Sequence, residues 1–411
     1  MTYAPLQPAQ TLPGEATRAP KLVNNLIWLM MAMSSISFIE PSPSDIFLIP
    51  LMLVVFVTGF RILPAHVPII FLMLMRMFSE IFALMPFLND PDAVTYVVYT
   101  VVVSIVCLFC VVLFSSNTQD RIRYFLNGYL ASCLIASTFA IAGYFDIAGM
   151  AERFSPYGRA FGSFKDPNVM GSYCTLGAVY ALQLVLLQKS RHVALLSFCF
   201  LYVFAGILLT FSRGSLAALV LSVLMLVFFS YTTSHSRPLR RRITIGLMAM
   251  FGLLALGLAI LMSNPEFREL LFQRAALVQD YDGGETGRFG SQLRSIPMLL
   301  DRLLIGFGPL QFRHVFELEP HNSYISAFAN SGLAGGFTFF ALVGLTSFVG
   351  FRLCIKASPY RSAAHVIWPP LFGHFLQGFQ IDIDHWRFFY VAIGAIWALE
   401  AVRVEWAKRQ V

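Results

Sequence analysis

Apolar residues fill this chain in runs of about 17–25 residues separated by polar breaks, the length at which a helix crosses the hydrocarbon of a bilayer. Such runs lie near residues 22–38, 44–61, 66–88, 93–115, 122–146, 169–189, 192–210, 214–232, 243–262, 323–350, 363–380 and 387–404. The pattern predicts an all-α polytopic membrane protein with about twelve transmembrane helices. One break is far longer than the others, a polar segment over 263–322. The expected organisation is a Pro- and Ala-rich disordered tail over 1–21, nine helices over 22–262, the long loop, and three helices with a C-terminal tail over 323–411.

Lys and Arg orient these runs, because positively charged loops stay in the cytoplasm. One alternate set of breaks carries Arg121 and Arg123, Lys189 and Arg191, then Arg237, Arg240, Arg241 and Arg242. Arg352, Lys356 and Arg361 continue it, and Arg403, Lys408 and Arg409 end it. That set, with both termini, is expected inside. The breaks at 89–92, 147–168, 212–214, 263–322 and 382–384 are expected outside, facing the periplasm. Even so, Arg153, Arg159, Lys165, Arg213, Arg268, Arg274, Arg288, Arg294, Arg302, Arg313 and Arg387 fall on the outward side. Glu266, Glu269, Asp280, Asp282 and Glu285 balance part of that charge. The remainder points to an anionic phosphate partner near the membrane surface.

Composition agrees with the membrane reading. The chain is 57% hydrophobic and 12% charged, which excludes an ordinary soluble multidomain protein. All six cysteines lie in or beside apolar runs, so no disulfide framework or zinc spacing is present. Cys107 and Cys110 form a CxxC inside an expected membrane helix, where packing is a better account than redox chemistry. Within the long loop, Phe289, Leu293, Ile296, Leu300 and Leu303 recur at helical spacing. They predict an amphipathic helix over 288–304, bent at Pro297, resting on lipid or on other helices.

Candidate chemistry concentrates at outward helix starts. His321, in Pro320-His321-Asn322-Ser323-Tyr324, stands where an apolar run meets the water interface. A neutral imidazole there can take a proton from a hydroxyl; equally, it can only cap the helix. Arg213, in Ser212-Arg213-Gly214, either lines a site or anchors to lipid headgroups. Arg288 opens the amphipathic helix, which also carries Arg294. Before the sixth run, Gly158-Arg159-Ala160-Phe161-Gly162-Ser163-Phe164-Lys165-Asp166-Pro167-Asn168 adds Arg159, Lys165 and Asn168 to the same expected side, with Asp166 as cap and Pro167 in the first turn. Asp280-Tyr281-Asp282 is too short a match to a metal–nucleotide DxD pair to carry that role. Arg76 and Glu80, four apart in the third run, are expected to pair. His374, Gln377 and Gln380 with Asp382, Asp384, His385 and Arg387 either line a polar cavity or bond helix to helix.

With these residues in place, the chain resembles the O-antigen ligase and Wzy-type polymerase family of bacterial envelope enzymes. The resemblance rests on Phe211-Ser212-Arg213-Gly214-Ser215, Gly287-Arg288-Phe289 and His321-Asn322-Ser323-Tyr324, with Gly332 and Gly335 following. Phe164-Lys165-Asp166-Pro167-Asn168 is similar to a motif in some members. The resemblance implies a metal-independent, inverting, GT-C-like glycosyltransferase in the inner membrane, without a cofactor. Its donor would be a glycan on undecaprenyl diphosphate, and its acceptor lipid A-core or a second lipid-linked glycan. Arg213 and Arg288 would hold the diphosphate, His321 would activate the acceptor hydroxyl, and Arg159, Lys165, Asn168, Asn322 and Arg294 would bind substrate. Membrane lipid is the other expected partner, and nucleic acid is not expected. A twelve-helix transporter of an envelope precursor is the alternative. Against it, the long loop is outward and follows the ninth run instead of dividing two halves.

Overall fold

Helix starts in this chain are written in its caps. Asp90, Asp166, Ser212 and Asn322 each accept backbone N–H groups of the first turn, and Pro91 and Pro167 occupy first-turn positions where a missing donor costs nothing. The computed structural model describes residues 20–39, 41–187, 192–234, 236–263, 288–316 and 320–410, with Pro265 and Arg268. In order they form α1 (Pro20–Ala32), α2 (Pro43–Thr58), α3 (Val67–Leu84), α4 (Pro91–Phe114), α5 (Thr118–Tyr144), α6 (Ala151–Phe154), α7 (Pro167–Leu186), α8 (Val193–Leu209), α9 (Arg213–Thr233) and α10 (Arg237–Met262). Then come α11 (Arg288–Asp301), α12 (Phe312–Val315), α13 (Ser323–Ile355), α14 (Arg361–Gln377) and α15 (Arg387–Lys408). No strand occurs among the described residues.

A helix falls on each of the twelve apolar runs. Among the described residues, six segments are long and apolar enough to cross a membrane: Pro64–Phe87, Pro91–Phe114, Thr118–Tyr144, Pro167–Leu186, Arg213–Thr233 and Ser323–Ile355. The protein is therefore an all-helical polytopic membrane protein. Four other runs hold shorter helices, α1, α2, α8 and α14, of 13, 16, 17 and 17 residues. Most of the expected N-terminal tail and the Asp280-Tyr281-Asp282 stretch lie outside the described residues.

The chain forms two compact units. The first takes residues from Met1–Thr58 and Gln119–Leu277. Its centre is α7, packed against α8 and α9, and small residues let α9 approach α7 and let α5 approach both α7 and α8. Gly171 lies against Ser215, Gly177 against Cys133, and Gly206 against Ser137, so that a β-carbon at any of the three would collide. The second unit takes residues from Gly59–Thr118 and Val278–Val411. Here α15 is buried along nearly its whole length and packs on α4, with Gly394 seated against Cys107 and Cys110. The CxxC is thus core packing, with both thiols free and buried.

The second unit departs from the sequence pattern in α13. Its apolar run is not one continuous helix: Ser331 (φ −134°, ψ 20°) and Gly332 (φ 61°, ψ −150°) break it. The backbone groups freed by the break are taken by the segment before α13. Phe307 N–H donates to Ala329 O at 2.7 Å, and Leu333 N–H donates to Leu303 O at 2.8 Å. Residues 333–355 alone span about 34 Å as helix, enough to cross a bilayer. His321 therefore stands at the start of the Ser323–Ile355 segment, three helical turns or more before its unbroken part.

The amphipathic helix is present as α11, with Pro297 inside it. Its buried face is Ser291, Ser295 and Leu299, while Leu293, Ile296 and Leu300 are exposed. The small serines let α11 lie close on α13, and the apolar stripe points away from the unit. Of the two supports expected for that stripe, lipid or other helices, the second is not used within this unit.

Gly332 adopts a backbone conformation open essentially to glycine, and a β-carbon there would lie 2.5–2.7 Å from Leu304 and Gly306 backbone atoms. Gly332→Ala is expected to lower the thermal unfolding temperature in detergent through backbone strain of about 1–3 kcal/mol. Gly344→Ala, with nothing within 4 Å, is expected to be neutral or stabilising by up to about 1 kcal/mol. Equal unfolding temperatures for the two variants would contradict the strained break.

Candidate functional site

The start of α13 is latched to the loop that follows α14. Ser323 N–H donates to Gly378 O at 2.8 Å, and Ile383 N–H donates to Ser323 Oγ at 2.7 Å. The Tyr324 hydroxyl donates to Phe375 O at 2.7 Å, and its ring stacks on Phe379 with centroids 4.2 Å apart. Asn322 is the cap. Its Oδ1 accepts from Tyr324 and Ile325 N–H, and its Nδ2 donates to Phe379 O and Gln292 Oε1. Both ends of its amide are thus bonded within the fold.

His321 is displaced from capping by its neighbour and turned outward. Its backbone is left-handed, φ 45°, a strained state for a residue with a β-carbon, and its side chain is 53% exposed. Nδ1 lies 3.6 Å from Asp382 Oδ2, and Asp382 Oδ1 accepts from Ser326 Oγ at 3.2 Å. A fixed carboxylate facing an exposed imidazole orients the ring and stabilises the positive charge that forms when it takes a proton. Gln292, on α11, donates to Phe379 O at 3.2 Å and reaches His321 O at 3.5 Å. Position 288 is one turn before Gln292 on the same helical face. Arg294 is on the other flank, exposed, with its guanidinium 5.0 Å above the Phe316 ring.

Two residues beyond Asp382, Asp384 points the other way, into a buried polar cluster. Arg76 pairs with Asp384 at 4.0 Å, while Glu80 accepts from Ser331 Oγ at 2.9 Å; the expected Arg76–Glu80 ion pair gives way to these two partners. Tyr96 donates its hydroxyl to Asp384 and accepts from Asn330 Nδ2 at 2.9 Å. Thr100 Oγ1 and His385 Nε2 are 2.9 Å apart. Burial alone would raise the Asp384 carboxyl, but His385, Arg76 and the Tyr96 hydroxyl hold it below its ordinary value. Burial lowers the His385 imidazole against the pull of Asp384. The same cluster fixes both the break in α13 and the loop that presents Asp382.

The first unit gathers Arg159, Lys165, Asn168 and Arg213 at one corner. Asp166 caps α7 by accepting Asn168 and Val169 N–H at 2.7 and 3.1 Å, with Pro167 in the first turn as the sequence predicts. Arg159 Nε donates to Thr210 O and Nη2 to Asn168 Oδ1, each at 2.9 Å. These bonds tie the 159–168 loop to the α8–α9 corner, a structural use that the sequence did not supply for Arg159. Ser215 Oγ donates to Asn168 O at 3.1 Å, and Ser212 caps α9. Arg213 opens α9, half-buried, after Phe211 at φ 49°. Lys165 is exposed.

Sequence reasoning singled out His321 but did not pair it with Asp382 or Gln292. The signal for Asp382 was an acidic pair, Asp382 and Asp384, at an expected outward helix end, read as cavity lining or helix bonding. Nothing in the local sequence marks Gln292. His374, from the same group, bonds Gln377 at 3.0 Å inside α14, so this pair joins no second helix. The described residues hold no cluster of three or more His, Cys, Asp or Glu arranged for a metal ion.

The cluster makes stability acid-sensitive in a definite direction. Asp384, lowered in the fold, contributes stability above its ordinary carboxylate range and loses it as pH falls through the lowered value. His385, kept neutral by burial, costs stability once pH falls below about 6.5, where the unfolded chain takes up a proton. Thermal unfolding is expected to shift down between about pH 7 and 5, and His385→Gln is expected to flatten that part of the profile. An unchanged slope in the variant would contradict the assignment.

Comparison with known families bears on the C-terminal half of the first unit and on part of the second. No curated protein matches the chain. Residues 198–340, about a third of its length, match the O-antigen ligase family model, Wzy_C. The matched stretch contains Arg213, Arg288, Arg294, His321 and Asn322, and ends before Asp382. The protein is a polytopic membrane protein whose residues 198–340 match the O-antigen ligase family, the family that its sequence motifs resemble.

Proposed function

We propose that this protein transfers a glycan from undecaprenyl diphosphate to an acceptor sugar hydroxyl on the periplasmic face of the inner membrane. His321 takes the proton of the acceptor hydroxyl as its oxygen attacks the anomeric carbon. The bond from that carbon to the diphosphate oxygen breaks with inversion, and the electron pair leaves with undecaprenyl diphosphate. Arg213 and Arg288 neutralise the charge that grows on this leaving group, the work a metal ion does in other transferases. Asp382 orients His321 and balances the imidazolium. Lys165 and Arg294 serve as peripheral anionic contacts, while Arg159 and Asn168 support the corner that carries Arg213. The acceptor is lipid A-core or a second lipid-linked glycan.

The observation that carries this reading is the exposed, backbone-strained His321 with Asp382 at 3.6 Å. A histidine needed only to start the helix would be redundant, because Asn322 already supplies the cap.

Donor binding and glycan transfer measured together test the roles. Arg213→Ala and Arg288→Ala are expected to slow transfer about a hundredfold or more, with weaker donor binding, and Arg→Lys to rescue only partly. His321→Ala is expected to keep donor binding and lose transfer by about 10²–10⁴-fold. EDTA is expected to leave transfer unchanged. Lost donor binding in His321→Ala with normal transfer in both arginine variants would overturn the assignment.

Sidedness has its own test, since every native cysteine is free and buried. Asp301→Cys is expected to react with an impermeant thiol reagent on intact spheroplasts, and Gln410→Cys only after permeabilisation. The reverse pattern would place the site on the cytoplasmic side.

A further inference from the structure

Helices α9 and α10 run antiparallel and leave an apolar crevice of about 540 Å³ between them. Leu224, Phe228 and Tyr231 line one wall, and Leu247, Met248 and Phe251 the other. From Tyr231 to Leu224 the crevice extends two helical turns, about 11 Å, close to the depth of one leaflet's hydrocarbon at about 15 Å.

A strongly cationic mouth closes one end. Arg237, Arg240, Arg241 and Arg242 fall within six residues at the start of α10, with no acidic residue in its first turn. Cations at a helix N-terminus are disfavoured by the macrodipole, and like charges this close repel one another. Arg237, Arg241 and Arg242 are exposed, and among the described residues no carboxylate pairs with any of the four. Arg240 joins mouth to crevice. Its Nε donates to Tyr231 O at 3.2 Å and Ser234 O at 3.0 Å, and its guanidinium lies 5.0 Å above the Tyr231 ring that lines the wall.

We propose that this crevice is a binding site for an anionic phospholipid, its phosphate at the arginines and an acyl chain between α9 and α10. Charge complementarity selects the headgroup, and the apolar wall selects a chain over a free anion. Loop orientation alone accounts for positive charge near the membrane. It does not account for a chain-sized apolar crevice that opens beside that charge.

The test compares phosphatidylglycerol with phosphatidylcholine in detergent-solubilised full-length protein, reading bound lipid by native mass spectrometry and unfolding temperature on addition. Phosphatidylglycerol is expected to be retained and to raise the unfolding temperature more than phosphatidylcholine, and inorganic phosphate to give no stabilisation. Arg241→Gln with Arg242→Gln is expected to weaken phosphatidylglycerol binding about thirtyfold, near fivefold for each charge lost. Leu247→Trp, with all four arginines intact, is expected to abolish retention. Met248→Trp, at the exposed rim, provides the same block should Leu247→Trp fail to fold. Equal retention of the two lipids would overturn the site. So would stabilisation by inorganic phosphate, or undiminished phosphatidylglycerol in the folded, crevice-filled variant.

Discussion

Much of the second unit depends on one interruption of helical hydrogen bonding, at Ser331–Gly332. In a helix that crosses lipid, freed backbone groups have no water to turn to and must be satisfied by protein. Leu303 and Phe307 supply the backbone partners, and the chain can come that close only because Gly306 and Gly332 lack β-carbons. Glu80 and Tyr96 supply the side-chain partners through Ser331 and Asn330. Buried carboxylates are costly in isolation, and here Glu80 and Asp384 share a cluster with the Arg76 guanidinium.

That arrangement extends to the candidate chemistry. Asp384 belongs to the same cluster, and Asp382 is two residues away in the same loop. The chain between α14 and α15 thus has one carboxylate anchored in the unit's interior and one delivered to His321. Ser323 and Tyr324 hold the other side by bonding the loop and the end of α14. His321 is consequently gripped from its backbone while its ring stays open to solvent. An open ring with a fixed carboxylate behind it suits a group that must meet a large glycan acceptor.

The sequence made the helices legible because bilayer-length apolar runs and Asx–Pro caps are local signals. Asp166 and Pro167 read directly as a cap and first turn. The amphipathic period of α11 was equally local, but which face packs was not, since Ser291 and Ser295 bury through fit to α13 and not through hydrophobicity. The break at Gly332 was invisible for a related reason: glycine in a membrane helix ordinarily signals close packing, and only the partners at 303–307 reveal a broken backbone. Candidate residues at helix starts could be found by residue type and order, as His321, Arg213 and Arg288 were. Asp382 and Gln292 could not, because their roles depend on pairings 61 and 29 residues apart in the chain. The same holds for Arg76, whose nearest charged neighbour in sequence is Glu80 but whose ion pair is with Asp384.

Chemical rescue tests the central claim, that His321 acts as the base, most directly. The side chain is exposed enough for a small base to take its place, so added imidazole should restore a measurable part of glycan transfer to His321→Ala. It should do nothing for Arg213→Ala, whose defect is lost charge at the leaving group. Rescue of the histidine variant alone is the result this account predicts. Transfer by folded, donor-binding His321→Ala at the wild-type rate without any added base would contradict it.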